Sequence, residues 1–280
     1  MKISSNIMGF YQELGMKKTI DIFSEAGFQA IEFNTDIKAF YTDTYDRIFY
    51  ADIRGYAEAK GVPFLQAHAP FASSFPSEED TARRFDEIVT GMKHASWLGV
   101  KTIVVHPCGH LNCMEEGNWD KMMDYNLDFY RRLAPYAREF GLQIAIENIN
   151  NTVTRTADGL IELFDRLDDP VFVVCYDVGH AHIAGEGAAD MIRKLGSRIK
   201  CTHIHDNDGV RDYHTLPYYG TIEWDSVMEA LAEIDYKGNL NYEAGNFVKN
   251  TPAQLKSKAI RFMAETAMHL REKFKASCKN

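Results

Sequence analysis

The sequence predicts a single α/β domain of the (β/α)8 TIM-barrel class over residues 1–280, and three observations lead there. Short apolar runs alternate with longer amphipathic segments from end to end. Several runs in the second half finish in a residue able to bind a divalent metal: Gln143–Ile146 leads into Glu147, Val171–Tyr176 into Asp177, Arg198–Thr202 into His203 and Leu240–Tyr242 into Glu243. In a (β/α)8 barrel all strand carboxyl ends open on the face where chemistry takes place. Finally, a chain of 280 residues and 31.9 kDa suits a fold that typically takes about 250 residues. An open doubly wound sheet is the alternative for the same alternation.

In order, strands are expected at Lys2–Ile7, Ala30–Phe33, Pro63–Ala67, Thr102–His106, Leu142–Glu147, Val171–Asp177, Ile199–His205 and Asn239–Glu243. All are short, rich in β-branched residues and flanked by turn formers, as strands covered on both faces should be. The stretch Met1–Met8 lacks the apolar core of a signal peptide and reads as the first strand. Apolar residues at helical spacing predict helices over Met16–Ala26, Thr44–Lys60, Ser77–Leu98, Asn118–Phe140, Ala157–Leu167, Ala188–Leu195, Ile222–Ile234 and Pro252–Phe274. Ser77 before Glu78-Glu79-Asp80, and Thr251-Pro252, have the composition of helix starts. Gly27, Gly61, Gly99, Gly141 and Gly238 follow helical patterns, where a left-handed residue stops a helix. No linker rich in Pro, Ser or Gly divides the chain, and Ala276–Asn280 are expected to fray.

Composition narrows the function. A net charge of −9 disfavours nucleic acid as a partner, because phosphate binding calls for a basic surface. No apolar stretch approaches the roughly 18 residues of a membrane span. Cys108, Cys113, Cys175, Cys201 and Cys278 are odd in number and follow no disulfide or zinc-finger spacing, so a reducing cytoplasm is the expected compartment.

Two Glu, one Asp and one His at strand ends make an oxygen-rich set with a single nitrogen, suited to Mn²⁺, Mg²⁺, Co²⁺ or Zn²⁺. Other candidates fall on the same face. His68 follows the third strand, His106 closes the fourth, Glu32 lies in the second, and His180 stands three residues beyond Asp177. Asp212 and His214 occupy the loop after the seventh. Of the 10 histidines, His68, His106, His180, His182, His203, His205 and His214 lie at or just past expected strand ends, a clustering that favours function over surface placement.

The segments Ile144–Asn148, Tyr176–Ala181, His203–Gly209 and Tyr242-Glu243 resemble the xylose-isomerase-like TIM-barrel superfamily, over nearly the whole chain. That group includes sugar and sugar-phosphate isomerases and epimerases, inosose isomerases and dehydratases, and endonuclease IV. The resemblance implies Glu147, Asp177, His203 and Glu243 as ligands of a divalent ion, Mn²⁺ foremost. His205, on the same face as His203, stays open as the alternative imidazole. It further implies Glu147 and Glu243 as an acid/base pair flanking a planar intermediate formed by proton abstraction beside a carbonyl. His180 would bond a substrate oxygen, with Glu32, His68, His106 and Arg211 as further substrate contacts. The expected partner is a small carbohydrate, with no nucleic acid or membrane, in a chain that can pair with itself.

Two other chemistries suit the same residues. In a multinuclear zinc hydrolase of endonuclease IV type, His68, His106, Glu147, Asp177, His180, His203, Asp212, His214 and Glu243 would all be ligands. The acidic chain and the absence of Lys/Arg clusters in the loops count against DNA as its substrate. An inosose-type dehydratase would use the same ion but expel a hydroxyl.

Overall fold

A computed structural model describes residues 1–7, 10–249 and 251–278. Its strands are β1 (Ile3–Asn6), β2 (Ala30–Asn34), β3 (Phe64–His68), β4 (Thr102–Val105), β5 (Gln143–Glu147), β6 (Phe172–Asp177), β7 (Ile199–His203) and β8 (Leu240–Tyr242). They lie side by side in the order β7-β6-β5-β4-β3-β2-β1-β8, and the described ladders are parallel. The fold is the (β/α)8 TIM barrel, nearly closed. Every expected strand exists, displaced at its ends by no more than two residues.

By the density of internal contacts the chain divides into two compact units, one of Met1–Glu32, Gly55–Pro63 and Tyr176–Asn280, the other of Phe33–Arg54 and Phe64–Cys175. In the first unit β1 pairs with β2 on one side and β8 on the other, with Ser5 opposite both Ile31 and Tyr242. Helix Met16–Ala26 packs on helix Lys256–Ser277, burying Ile20, Phe23, Ile260, Met263 and Leu270. Each such side chain taken from water contributes roughly 1.5–3 kcal/mol. In the second unit β3, β4 and β5 pair in sequence, and helices Glu78–Trp97, Asn118–Phe140 and Ala157–Leu167 bury Ile88, Met92, Leu127, Leu133 and Leu163. Tyr130 pins helix to sheet, its hydroxyl donating to the Val105 carbonyl at 3.0 Å.

Local signals mostly did what their chemistry predicts. Ser77 Oγ accepts from the Asp80 amide at 3.3 Å, an N-cap worth about 1 kcal/mol. Gly27 and Gly141 end their helices in the left-handed region. Gly238 departs from expectation: its φ is not positive, and Asp235, at φ 54°, adopts the left-handed backbone after helix Trp224–Glu233 instead. Gly238 is needed for space, since a Cβ there would lie 2.3 Å from Tyr236 Oη. The last helix begins at Lys256 after a 3₁₀ turn, Ala253–Leu255, and runs to Ser277, so Ala276 and Ser277 are helical rather than frayed. Of the expected elements, Met8 and the final two residues fall outside the described ones. Short helices Phe10–Leu14, Val178–Ala184 and Gly245–Lys249 carry too few turns for an apolar period to reveal them. All five cysteines are free, and among the described residues no helix is long and apolar enough to cross a membrane.

Candidate active site at the strand ends

In the first unit, β6 delivers Asp177 at its last position, and the chain turns at once into helix Val178–Ala184. Asp177 caps that helix, Oδ1 accepting the His180 amide at 2.7 Å. It also accepts from His205 Nε2 at 3.0 Å. The His205 ring rests on Gly179, where a Cβ would come within 2.0 Å of Cε1, which explains a glycine in Val178-Gly179-His180.

β7 ends in His203, fully buried between carboxylates. Its Nε2 lies 3.1 Å from Glu32 Oε2, and its Nδ1 lies 3.1 Å from Glu243 Oε2 and 3.8 Å from Asp177 Oδ2. Asn6, at the end of β1, donates to Glu243 Oε1 at 3.2 Å. Three buried acids thus surround one imidazole. Carboxylates withdrawn from water are costly unless positive charge compensates them. Asp177, His203 and Glu243 therefore form a donor set with the chemistry of a divalent-ion site: two hard oxygens and one nitrogen, ordered by neighbours.

A second cluster adjoins it in the same unit. Asp212 Oδ2 lies 3.2 Å from His180 Nε2 and 2.9 Å from His214 Nε2, and His214 stacks on His205 with ring centroids 3.9 Å apart. Burial works to raise the Asp212 carboxyl, but hydrogen bonds from both imidazoles outweigh it and hold the group well below the usual carboxylate range. Burial likewise opposes protonation of His214, yet the bond to Asp212 and the charges of Glu243, Asp212 and Asp177 raise it to about 9. Donor atoms of His180, His205, Asp212 and His214 all lie within 4.8 Å of one another.

In the second unit, β3, the residue after β4, and β5 supply His68, His106 and Glu147. Glu147 Oε2 is 3.1 Å from His106 Nε2 and 3.5 Å from His68 Nε2, and the two Nε2 atoms are 3.2 Å apart. His68 Nδ1 bonds the Ala69 carbonyl at 2.7 Å and must be its protonated nitrogen, so a neutral ring turns a lone pair toward the carboxylate. Such an electron-rich convergence suits a proton or a cation. The exposed ring of Phe71 stacks on His106 at 5.1 Å.

The sequence matches the family described as xylose isomerase-like TIM barrel over residues 20–266. The chain belongs to that family. It is 29% identical to an inosose dehydratase of Bacillus cereus (strain AH820) over 234 residues, covering 72% of this chain and 77% of that protein. A solved structure of a D-tagatose 3-epimerase-like protein superposes with TM-score 0.77 at 24% identity, covering 98% of this chain and 99% of the other. The IOLI protein, solved with a bound zinc atom, gives TM-score 0.79 at 20% identity over 98% and 99% of the two chains. At that identity the two structures speak for the fold.

Against this family member's sequence-derived residues, the first unit gathers Glu32, Asp177, His180, His203, His205, Asp212, His214 and Glu243, and the second gathers His68, His106 and Glu147. Arg211 joins neither cluster: it is exposed, and its Nη1 donates to Tyr213 Oη at 3.2 Å. Sequence reasoning missed Asn6, although an amide ending a buried strand beside Ser4 and Ser5 was a signal. It also missed Asp206.

Proposed function

We propose that this protein is a divalent-metal-dependent sugar isomerase or epimerase, removing a proton from the carbon beside a carbonyl and returning one. The observation that carries the reading is the buried trio of Asp177, His203 and Glu243, acids with imidazole and amide partners already in place. The family's relatives named for sugar epimerases and inosose dehydratases support it. Glu147 is assigned as fourth ligand because it ends β5, and strand ends carry the chemistry of this fold. The donor set suits Mn²⁺ first, with Mg²⁺, Co²⁺ and Zn²⁺ as alternatives. A bound ion would act as a Lewis acid, stabilising negative charge that develops on the substrate's oxygens.

The protein's own groups do the rest. Glu243 exchanges a proton with the substrate carbon, its other oxygen held by the Asn6 amide. Glu147 serves the opposite side of the flattened carbon. Glu32, expected to touch substrate, is better placed as the acceptor that fixes His203 through Nε2 and leaves Nδ1 for the ion. His180 bonds a substrate oxygen, with His68, His106 and Arg211 as further contacts. Incubation with a panel of ketoses in deuterated water tests the reading: deuterium should enter beside the carbonyl. Loss of water instead of exchange would make the enzyme a dehydratase, and no exchange or product with any member would reject the reaction class.

One observation favours a second reading. The His180, His205, Asp212 and His214 cluster has the donors for another ion, as a multinuclear hydrolase would need. Metal analysis separates them: about one ion per chain supports the isomerase, and two or three zinc ions support the hydrolase.

A further inference from the structure

Asp206 stands three residues beyond the end of β7 and belongs to neither cluster, yet it is fully buried. Its carboxylate is bonded to N–H donors. Oδ1 accepts from the amides of Asn207 at 2.9 Å and Ile222 at 3.2 Å, and Oδ2 from the amide of Tyr218 and the indole Nε1 of Trp224, at 2.9 and 2.8 Å. Its backbone forms an antiparallel bridge with Thr215, amide to carbonyl in both directions at 2.9 and 3.2 Å. Gly220 lies so close that a Cβ there would sit 2.2 Å from Oδ1.

This geometry divides the segment after β7 into two excursions that start and return at one residue. The first, residues 207–214, ends on His214 and carries Asp212. The second, residues 216–223, returns to the Trp224 indole. Asp212 and His214 come from a loop and not from a strand: His214 Nδ1 bonds the Glu243 carbonyl at 2.8 Å and Asn246 Nδ2 donates to the Tyr213 carbonyl at 2.9 Å, and closure of the loop at its base adds to these anchors. The first excursion is closed at Asp206 and Thr215, and the second is tied to the Asp206 carboxylate by three of its four donors. The tie needs a carboxylate in particular. All four partners are donors, so an amide in its place would turn an NH₂ against two of them.

We infer that Asp206 is the positioning residue of the site: it clasps the loop after β7 so that Asp212 and His214 meet His180. Trp224, the first residue of helix Trp224–Glu233, is the clasp's outer half. This deepens the functional reading above and rests on it for the link to turnover, but the clasp itself is testable without turnover.

The experiment compares Asp206→Asn, Asp206→Glu, Trp224→Phe and the double variant Asp206→Asn with Trp224→Phe, each checked for native circular dichroism and a cooperative melt. Amide hydrogen exchange should speed up over residues 207–223 in Asp206→Asn and stay unchanged in β1 and β8. The tryptophan emission of Asp206→Asn should shift as the Trp224 indole loses its carboxylate. In turnover, kcat of Asp206→Asn should fall by about 10–100-fold, the range for losing a partner that orients a site residue, while occupancy by Mn²⁺ at Asp177, His203 and Glu243 stays near the wild-type value. Removing the opposed indole N–H in the double variant should recover part of that loss, a rescue that general destabilisation would not give. Exchange and kcat both within twofold of wild type in a folded Asp206→Asn would overturn the proposal. If wild type turns over no ketose, the functional reading fails, and hydrogen exchange alone then decides the clasp. Should Asp206→Asn not fold, Trp224→Phe with unchanged exchange over 216–223 overturns it equally.

Discussion

The two units assemble their polar clusters by different means. In the second, His68 ends β3, His106 follows β4 and Glu147 ends β5, so the positions come from backbone that the sheet already holds. In the first, Asp177, His203 and Glu243 lie at or just after strand ends, but Asp212 and His214 come from an exposed excursion with its own internal bonds: Asp208 Oδ1 accepts from the amides of Val210 and Arg211 at 2.9 and 2.8 Å. Strand-held groups inherit the rigidity of the ladder, whereas loop-held groups need a local device. In the proposed reaction the strand-held residues would carry the chemistry and the loop-held ones would tune it.

The largest effects should come from the strand-held acids. Glu243→Gln and Glu147→Gln would each remove one of the proposed acid/base pair, and turnover should fall by at least about 10³-fold with the circular dichroism unchanged. Asp177→Asn should lower metal affinity as well, by about 10–100-fold, because it would weaken both a proposed ligand and the bond to His205. Initial rates and metal titrations check these outcomes. Wild-type turnover in either glutamine variant would remove the acid/base pair.

Next come the loop-held groups. His214→Ala or Asp212→Asn should cost activity about 10–100-fold if they only orient substrate, with metal content unchanged. If they bind a second ion, metal content should drop by one per chain. One zinc analysis on each variant therefore sharpens the contrast between the units.

A pH titration of metal-free protein isolates the same pair. The folded-state pKa of His214 is raised to about 9, above the roughly 6.5 of an unperturbed imidazole, so its contribution to stability is full below about pH 6.5 and disappears as pH rises through 9. Asp212 has the opposite sign: its depressed pKa stabilises the protein above about pH 4, and that gain is lost on acidification. The midpoint of thermal unfolding should fall by a few degrees between pH 6.5 and 9.5, and His214→Gln should flatten that fall. An equal slope in both proteins would show that another group titrates.

The strand-held part of this site was legible in the sequence for a physical reason. A buried strand is a short apolar run, and a carboxylate or imidazole at its carboxyl end stands out against it, so Glu147, Asp177 and His203 could be picked by position, whereas Lys200 inside β7 and Glu32 inside β2 show that an ionisable side chain does not by itself mark a strand end. Helices with enough turns to repeat their apolar face were equally clear, and Met16–Ala26, Asn118–Phe140, Ala157–Leu167 and Ala188–Leu195 were found to the residue. Loops carry no such period. Nothing in His203-Ile204-His205-Asp206 says that the second imidazole turns to Asp177 or that the aspartate turns back to an indole 18 positions on. Those facts depend on side-chain partners distant in sequence, which spacing does not encode. Glu32 shows the same limit: its strand was found, but its bond to His203 spans 171 positions.

The smallest expected effect concerns Arg211, and it bears on substrate class. The guanidinium is exposed and bonded to Tyr213, on the loop that carries Asp212. Toward a neutral sugar it can offer only a solvent-competed hydrogen bond, so Arg211→Ala should raise KM by no more than about threefold. Toward a sugar phosphate the pairing is charge-assisted and geometrically matched, and the same change should raise KM by about tenfold or more. The acidic chain, at a net charge of −9, gives no general attraction for a phosphate, so any such preference has to be local. We expect the small effect and a neutral substrate. A KM rising tenfold or more for a phosphorylated ketose, but not for its unphosphorylated counterpart, would assign Arg211 to phosphate recognition and move the substrate class with it.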